Sequence, residues 1–202
     1  MKLIKAIVII VAANLTFCKQ QEQSSQQLSP QQQQVVKAKP TCLFSPQHTA
    51  PDWVCDKPHS GLAIQAVGKF ELSFGGRNYM LDMAEILARK QLSERFKREV
   101  AARISLYAKT SALNSQVIDT LIMSANQYID DQSLESAKVY QTETGTDGEV
   151  YVLVGMDSPT IKVLIEQVIA KSVQNEKDLW QVFKAQNLEG QLAVAIAAIK
   201  DE

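Results

Sequence analysis

The chain is poor in the residues that most often build reactive sites, with two histidines and three cysteines among 202 residues. It contains no H-E-x-x-H pair, no phosphate-cradling glycine loop and no G-x-S-x-G elbow, so the common metalloprotease, nucleotide and serine-hydrolase chemistries have no basis in it. A C-x-x-C-H haem attachment is missing too. Positive charge is not in excess: 21 Lys and Arg stand against 22 Asp and Glu, with a pI near 6.2. That balance argues against nucleic acid as a partner. No apolar run approaches the roughly 20 residues of a membrane-spanning helix. Three cysteines are too few for a disulfide-dense mini-protein, and their odd number leaves one without an intramolecular partner. What is present is a hydrophobic content of 46%, enough for a real core and incompatible with wholesale disorder. The length fits one domain or two.

Residues 1–17 have the layout of a secretory signal peptide. Lys2 and Lys5 form a basic start, and Ala6–Ala13 is an uninterrupted apolar run. A buried strand is the structural alternative, and the flanking lysines disfavour it. Leu15-Thr16-Phe17-Cys18 resembles a bacterial lipobox, in which the cysteine is acylated and becomes the mature N-terminus. Leu15 and Thr16 match that pattern. Phe17 departs from it, since Gly, Ala or Ser usually stands there. The alternative is an ordinary secreted protein in which Cys18 is unmodified. Position favours acylation, because Cys18 sits where apolar sequence gives way to polar. Acyl chains would hold the protein on a bilayer at about 0.8 kcal/mol per buried methylene. By resemblance to enteric sorting signals, Lys19 after the cysteine implies the outer membrane. Removing residues 1–17 takes away two lysines and no acid, leaving 19 basic against 22 acidic residues, a net of −3.

Residues 18–40 read as a flexible tether. Nine glutamines fall between Gln20 and Gln34, mixed with serines and Pro30, and such a stretch buries too little to offset the entropy of ordering. Residues 41–60 form a Pro- and Cys-rich lead-in holding both histidines and the other two cysteines. Three readings compete there. Cys42 and Cys55 form a disulfide in an oxidising compartment, worth about 3 kcal/mol for a loop of about 14 residues; or they are unpaired structural thiols; or they bind zinc with His48 and His59. The C-x5-H-x6-C-x3-H spacing matches no common zinc pattern, and the disulfide is the favoured reading. No metal or other cofactor is expected.

From residue 61 the pattern is regular. Leu62, Ile64, Ala66 and Val67 precede Gly68, and Phe70, Leu72 and Phe74 alternate with polar residues, predicting a half-buried strand with a bulge near Gly68. Gly75-Gly76 breaks it. Asn78 is then a plausible cap for a long helix to about Lys109, with Met80, Ala84, Ala88, Leu92, Phe96, Val100 and Ile104 recurring every four residues and Leu87 and Tyr107 widening the stripe. A second helix is expected over Asn114–Tyr128. Two β-rich runs, Ser136–Thr144 and Glu149–Met156, flank Gly145-Thr146-Asp147-Gly148 and predict a hairpin. Ser158-Pro159 opens a further helix, with Ser158 as its cap, and a last helix starts near Glu176. The order β-α-α-β-β-α-α predicts an α+β domain: a three-stranded antiparallel sheet with helices packed on one face, following the signal peptide and tether. Its edges are expected to be exposed.

Several of these segments together resemble one family. Pro51-Asp52-Trp53-Val54, Ala66-Val67-Gly68, the helix Met83–Glu94, and Gly148–Val154 with Ser158-Pro159 behind it are similar in order and spacing to the LPP20 family of bacterial lipoproteins. The likeness spans roughly residues 51–170, and no single motif in it is diagnostic. On that basis residues 61–172 are the LPP20-like domain and 173–202 a C-terminal helical extension. The resemblance implies a βαββ core and outer-membrane association, sometimes as surface antigens or flagellar ring proteins. It supplies no catalytic residues.

The remaining candidates for chemistry have simpler explanations. Asp130-Asp131 at a helix end reads as solvated acids. Gly145–Gly148 lacks the alternating ligands of a calcium loop and reads as a turn. Trp53 reads as a core anchor. The expectation is therefore a non-enzymatic, lipid-anchored envelope protein, facing periplasm or surface, that binds envelope or flagellar proteins or copies of itself. The alternatives are a periplasmic carrier of a lipid or flavin, or a flagellar or cell-wall accessory factor.

Overall fold

Valine, leucine and methionine without polar interruption make a strand that suits the middle of a sheet, covered on both faces. Val150–Met156 is such a run, and six of its seven residues are buried. In the computed structural model, which describes residues 41–111, 113–131, 135–185 and 189–199, it is the central strand of a three-stranded antiparallel sheet. Among the described residues the order is β1 (Leu43–Ser45), β2 (His48–Thr49), a 3-10 turn (Asp52–Cys55), β3 (Ile64–Phe70), α1 (Gly76–Thr110), α2 (Ser115–Asp131), β4 (Lys138–Thr144), β5 (Val150–Met156), α3 (Ser158–Asn175), α4 (Lys177–Ala185) and α5 (Glu189–Ala198). The strand order is β3-β5-β4, and β1 and β2 form a separate small hairpin. The mixed α and β class and the antiparallel sheet are those expected from the sequence.

The alternation of side chains assigns the two faces. Ile64, Ala66, Gly68 and Phe70 pair with Met156, Val154, Val152 and Val150 and look into the main core. Helix α1 lies directly over them. Its four-residue stripe, Met80, Ala84, Ala88, Leu92, Phe96, Val100 and Ile104, is buried as its spacing predicts. Leu87, expected to widen the stripe, stays on the surface with Ile86. Leu121, Ala125 and Ile129 of α2, Ile165, Val168 and Ile169 of α3, and Phe183, Leu192 and Ile196 of α4 and α5 close the same core.

Gly68 sets the distance between sheet and helix. A β-carbon there would lie 1.8 Å from the Ala84 carbonyl oxygen and 2.7 Å from the Ala88 amide nitrogen. Only a residue without a side chain, opposite two alanines, admits so close an approach. The expected bulge near Gly68 is therefore absent; pairing runs without a break from Ile64 to Phe70. The irregularity lies instead in β4, where pairing passes from Val139 to Gln141 and leaves Tyr140 as the extra residue.

Four further boundaries differ from the sequence reading. The first strand ends at Phe70, and Leu72 and Phe74 project from the following loop, because no third strand pairs beside them. α1 begins at Gly76, which has a φ of +79°, ahead of Asn78. α3 is capped by Asp157, whose Oδ1 accepts from the Thr160 amide at 2.9 Å, so Ser158 is its first helical residue rather than its cap. The last helical region is two helices, α4 and α5. The expected signal peptide, Cys18 and the expected tether fall within residues 1–40, outside the described residues.

Placing a methyl group on Gly68 forces backbone against backbone, where no side chain can rotate away. Gly68→Ala is expected to cost about 3 kcal/mol or more, at the upper end of overpacking effects, and to lower the melting temperature by about 2–4 °C for each kcal/mol. Urea unfolding checks this, and a variant within about 0.5 kcal/mol of the parent would contradict the close approach.

Candidate functional site

The second face of the sheet carries Gln65, Val67 and Lys69 from β3, opposite Gly155, Leu153 and Tyr151 from β5. No helix covers it. The Pro- and Cys-rich lead-in does. Leu153 is fully buried, as are Trp53 and Cys42 to within a few per cent, and all three lie outside the helix-side core. The Phe44 ring sits 5.5 Å from that of Tyr151 in a tilted arrangement. Cys42 and Cys55 are joined in a disulfide across 13 residues, with α-carbons 5.8 Å apart. It ties the β1–β2 hairpin to the 3-10 turn bearing Trp53, which is the core anchor expected of it.

Polar groups fasten this layer to the fold. Gln65 is 8% exposed, and its amide bridges the lead-in: Oε1 accepts from the His59 amide at 2.7 Å and Nε2 donates to the Lys57 carbonyl at 2.8 Å. Asp56 occupies the left-handed region at φ +58°, and both its carboxylate oxygens accept from Arg95 of α1. The same guanidinium donates to the Gln65 carbonyl at 2.9 Å, a backbone group pointing away from β5. One arginine thus joins α1, the outer edge of β3 and the lead-in.

The histidines are used locally. His48 Nδ1 meets the Ser45 hydroxyl at 2.9 Å. His59 has its Nδ1 at 2.9 Å from the Ser60 carbonyl and its Nε2 at 3.0 Å from the Gln141 amide nitrogen. A single neutral tautomer, protonated at Nδ1, satisfies both contacts. Because the two sulfurs are bonded to each other, they are unavailable to a metal alongside these rings. Among the described residues no three His, Cys, Asp or Glu side chains gather as a metal-ligand set. Asp130 pairs with Lys97 of α1 at 2.5 Å, so it ties α2 to α1 instead of standing free in solvent. That hydrogen bond, foremost, raises the Lys97 pKa.

The β4–β5 turn is built on a carboxylate that no motif advertises. Gly145 donates its amide to the Glu149 carbonyl at 2.8 Å, and Gly148, at φ +80°, donates to the Gly145 carbonyl at 3.2 Å. The Glu149 side chain is 4% exposed and folds back under the turn. Its Oε2 accepts from the Asp147 amide and its Oε1 from the Tyr151 hydroxyl, both at 3.1 Å. Burial pushes its pKa up, but its own amide, the Tyr151 hydroxyl, the Asp147 amide and the nearby Lys69 charge outweigh burial and hold it below the ordinary glutamate value. For Tyr151, burial and then the bond to Glu149 push the hydroxyl up.

What the lead-in leaves uncovered is the outer edge of β4. Six of its seven residues are exposed. Gly145 bonding to Glu149 fixes the alternation of the ladder, so Glu143 and Gln141 turn their backbone groups toward Tyr151 and Leu153 of β5. Thr142 and Thr144 then turn their N–H and C=O groups outward. Lys138 and the Tyr140 bulge guard one end of this edge, as protected edges often are. The stretch from Gln141 to Thr144 is regular and pairs with no further strand among the described residues; the Thr144 N–H donates to the Glu143 side chain at 3.1 Å. Sequence reading anticipated an exposed edge but not its location; Gln65, Arg95 and Glu149 carried no signal, because their partners are single backbone amides and carbonyls, a carboxylate or a hydroxyl brought together by folding, and these form no sequence motif.

A group whose pKa is lowered on folding contributes stability above its unfolded pKa and loses it as pH falls through the folded value. Glu149→Gln is accordingly expected to cost about 1–3 kcal/mol at neutral pH, the range for hydrogen bonds to a charged group. That difference should shrink as the pH drops below 4.5, the ordinary value for this side chain. Urea titrations of both proteins at neutral and acidic pH check it; a difference that stays constant would show that the charge of Glu149 contributes nothing.

No protein-family model matches the chain, and none of the curated proteins searched is significantly similar to it, so its site is read from its own chemistry.

Proposed function

We propose that this chain is a non-enzymatic, lipid-anchored protein of the bacterial cell envelope, held at the outer membrane through Cys18. Its folded domain is a protein-binding scaffold that pairs a partner's strand with β4. The open register of Gln141–Thr144 carries this reading. An incoming strand finds the outward N–H and C=O of Thr142 and the outward C=O of Thr144, while the Thr144 N–H, which donates to the Glu143 carboxylate at 3.1 Å, is reached by turning that side chain aside; a covalently braced sheet lies behind them. The partner strand comes from another envelope protein or from a second copy of the chain. The Cys42–Cys55 disulfide supports an oxidising compartment, and no helix among the described residues is long and apolar enough to cross a membrane. The lipobox-like Leu15–Cys18 supports the anchor, and the likeness to LPP20 lipoproteins supports the envelope location.

Two readouts in one strain test it. Metabolic labelling with palmitate is expected on the parent and absent in Cys18→Ala. A photo-crosslinking amino acid in place of Thr144 should capture a discrete heavier species, whereas one in place of the exposed Val163 of α3 should not. Thr142→Pro removes an outward N–H without breaking a ladder bond, so it should abolish the adduct while the protein stays folded. Equal capture from both positions, or capture that survives Thr142→Pro, would rule out strand addition; unchanged labelling would rule out the anchor.

A further inference from the structure

A cleft lies where the start of β3 meets the helices, and none of its lining residues belongs to β4. Helix α1, the start of α3 and the end of α5 enclose this cleft of about 850 Å³, within the range of small-ligand sites. Its wall is of two kinds. Ala63, Ile64, Ile161 and Ala197 line an apolar part; Arg95, Arg98, Arg103 and Lys162 bring four cations against one acid, Glu99. For a chain of net charge −1 this is a marked local concentration of positive charge.

The cations fall into two classes. Arg95 is bound to Asp56 and the Gln65 carbonyl. Arg103 is bound to Glu99 and to the Ala197 and Ile199 carbonyls, which fixes the end of α5 over the cleft. These two are structural. Arg98 and Lys162 are exposed and form no ion pair or hydrogen bond among the described residues. Arg98 sits one turn from Arg95 on α1, and Lys162 one turn beyond Ser158 on α3, so two different helices present unpaired charge to one cleft. Asp157, just before α3, is engaged by the Thr160 amide as that helix's cap.

We propose that this cleft binds an amphiphilic phosphate ester, with the phosphate oxygens between Arg98 and Lys162 and the apolar part along Ala63, Ile64 and Ile161. Arginine offers a planar fork of donors to phosphate oxygens and lysine a mobile point charge, and Arg95 and Arg103 fasten the α1 wall that carries Arg98 to the lead-in, β3 and α5. Two cations with no ion pair among the described residues select against neutral ligands, and the apolar wall selects against a bare anion.

The test uses the full chain in a non-ionic detergent, with calorimetric titration of three water-soluble probes: dihexanoylphosphatidic acid, dihexanoylphosphatidylcholine and inorganic phosphate. Partitioning into micelles is common to parent and variants and is subtracted. Saturable binding of the phosphatidic acid is expected, weaker at high salt and reduced about tenfold or more by each of Arg98→Ala and Lys162→Ala. Both side chains are exposed and unpaired, so unchanged melting curves should accompany the loss; Arg98→Gln serves as a second neutral variant. Equal affinity for the choline lipid would overturn the oxyanion assignment. Equal affinity for inorganic phosphate would overturn the amphiphilic part, and binding indifferent to both substitutions would overturn the site. Thr142→Pro should leave this binding intact, which separates its failure from failure of the strand-addition reading.

Discussion

The main chain of α1 passes over the α-carbon of Gly68 so closely that a methyl group there would lie 1.8 Å from a carbonyl oxygen. This approach lets a helix of 35 residues lie flat on β3 and β5 and bury an entire four-residue stripe. Because α1 is pinned there, its Arg95 meets Asp56 and the edge of β3, and its Lys97 meets Asp130 of α2. Small residues at one crossing thus place polar anchors several turns away.

The same crossing explains the asymmetry of the sheet. Helices fill one face to completion, leaving the other to a segment of about 20 residues rich in proline. Such a segment is too short to form a core of its own. A disulfide, a buried tryptophan and the Gln65 bridge supply what regular secondary structure does not. The layer covers Leu153 and Tyr151 and touches β4 through His59, beside Tyr140 and Gln141, but leaves Thr142 and Thr144 exposed. In contrast, Arg95 occupies a carbonyl on the outer edge of β3. One edge is therefore partly closed and the other is open, and this difference is what the proposed partner binding rests on.

Much of the fold was legible because it is written in short-range periodicity. The α1 stripe, the two-residue alternation of Ile64–Phe70 and the Gly- and Asp-rich turn between β4 and β5 each declare themselves within a few residues. Where the reading slipped, a long-range effect decided. Leu72 and Phe74 continue the alternation of β3, but no neighbouring strand extends to pair with them. Glycine in a strand often marks a bulge, whereas here Gly68 serves a helix and the bulge falls on Tyr140. The lead-in reads as loop because its order comes from the sheet it covers. Arg95, Arg98 and Lys162 look like ordinary solvated charges in sequence, and only the cleft that residues of α1, α3 and α5 line together sets them apart.

The central claim is that β5 lies between two layers while β4 presents an unpaired edge. Amide hydrogen exchange resolved residue by residue tests it most directly. Slow exchange is expected throughout Val150–Met156, together with alternation in β4: protection at Gln141 and Glu143, and rapid exchange at Thr142 and Thr144. Uniform protection of all four β4 amides in the isolated protein would show that the edge is already covered, and rapid exchange across Val152–Val154 would show that the lead-in does not shield the second face.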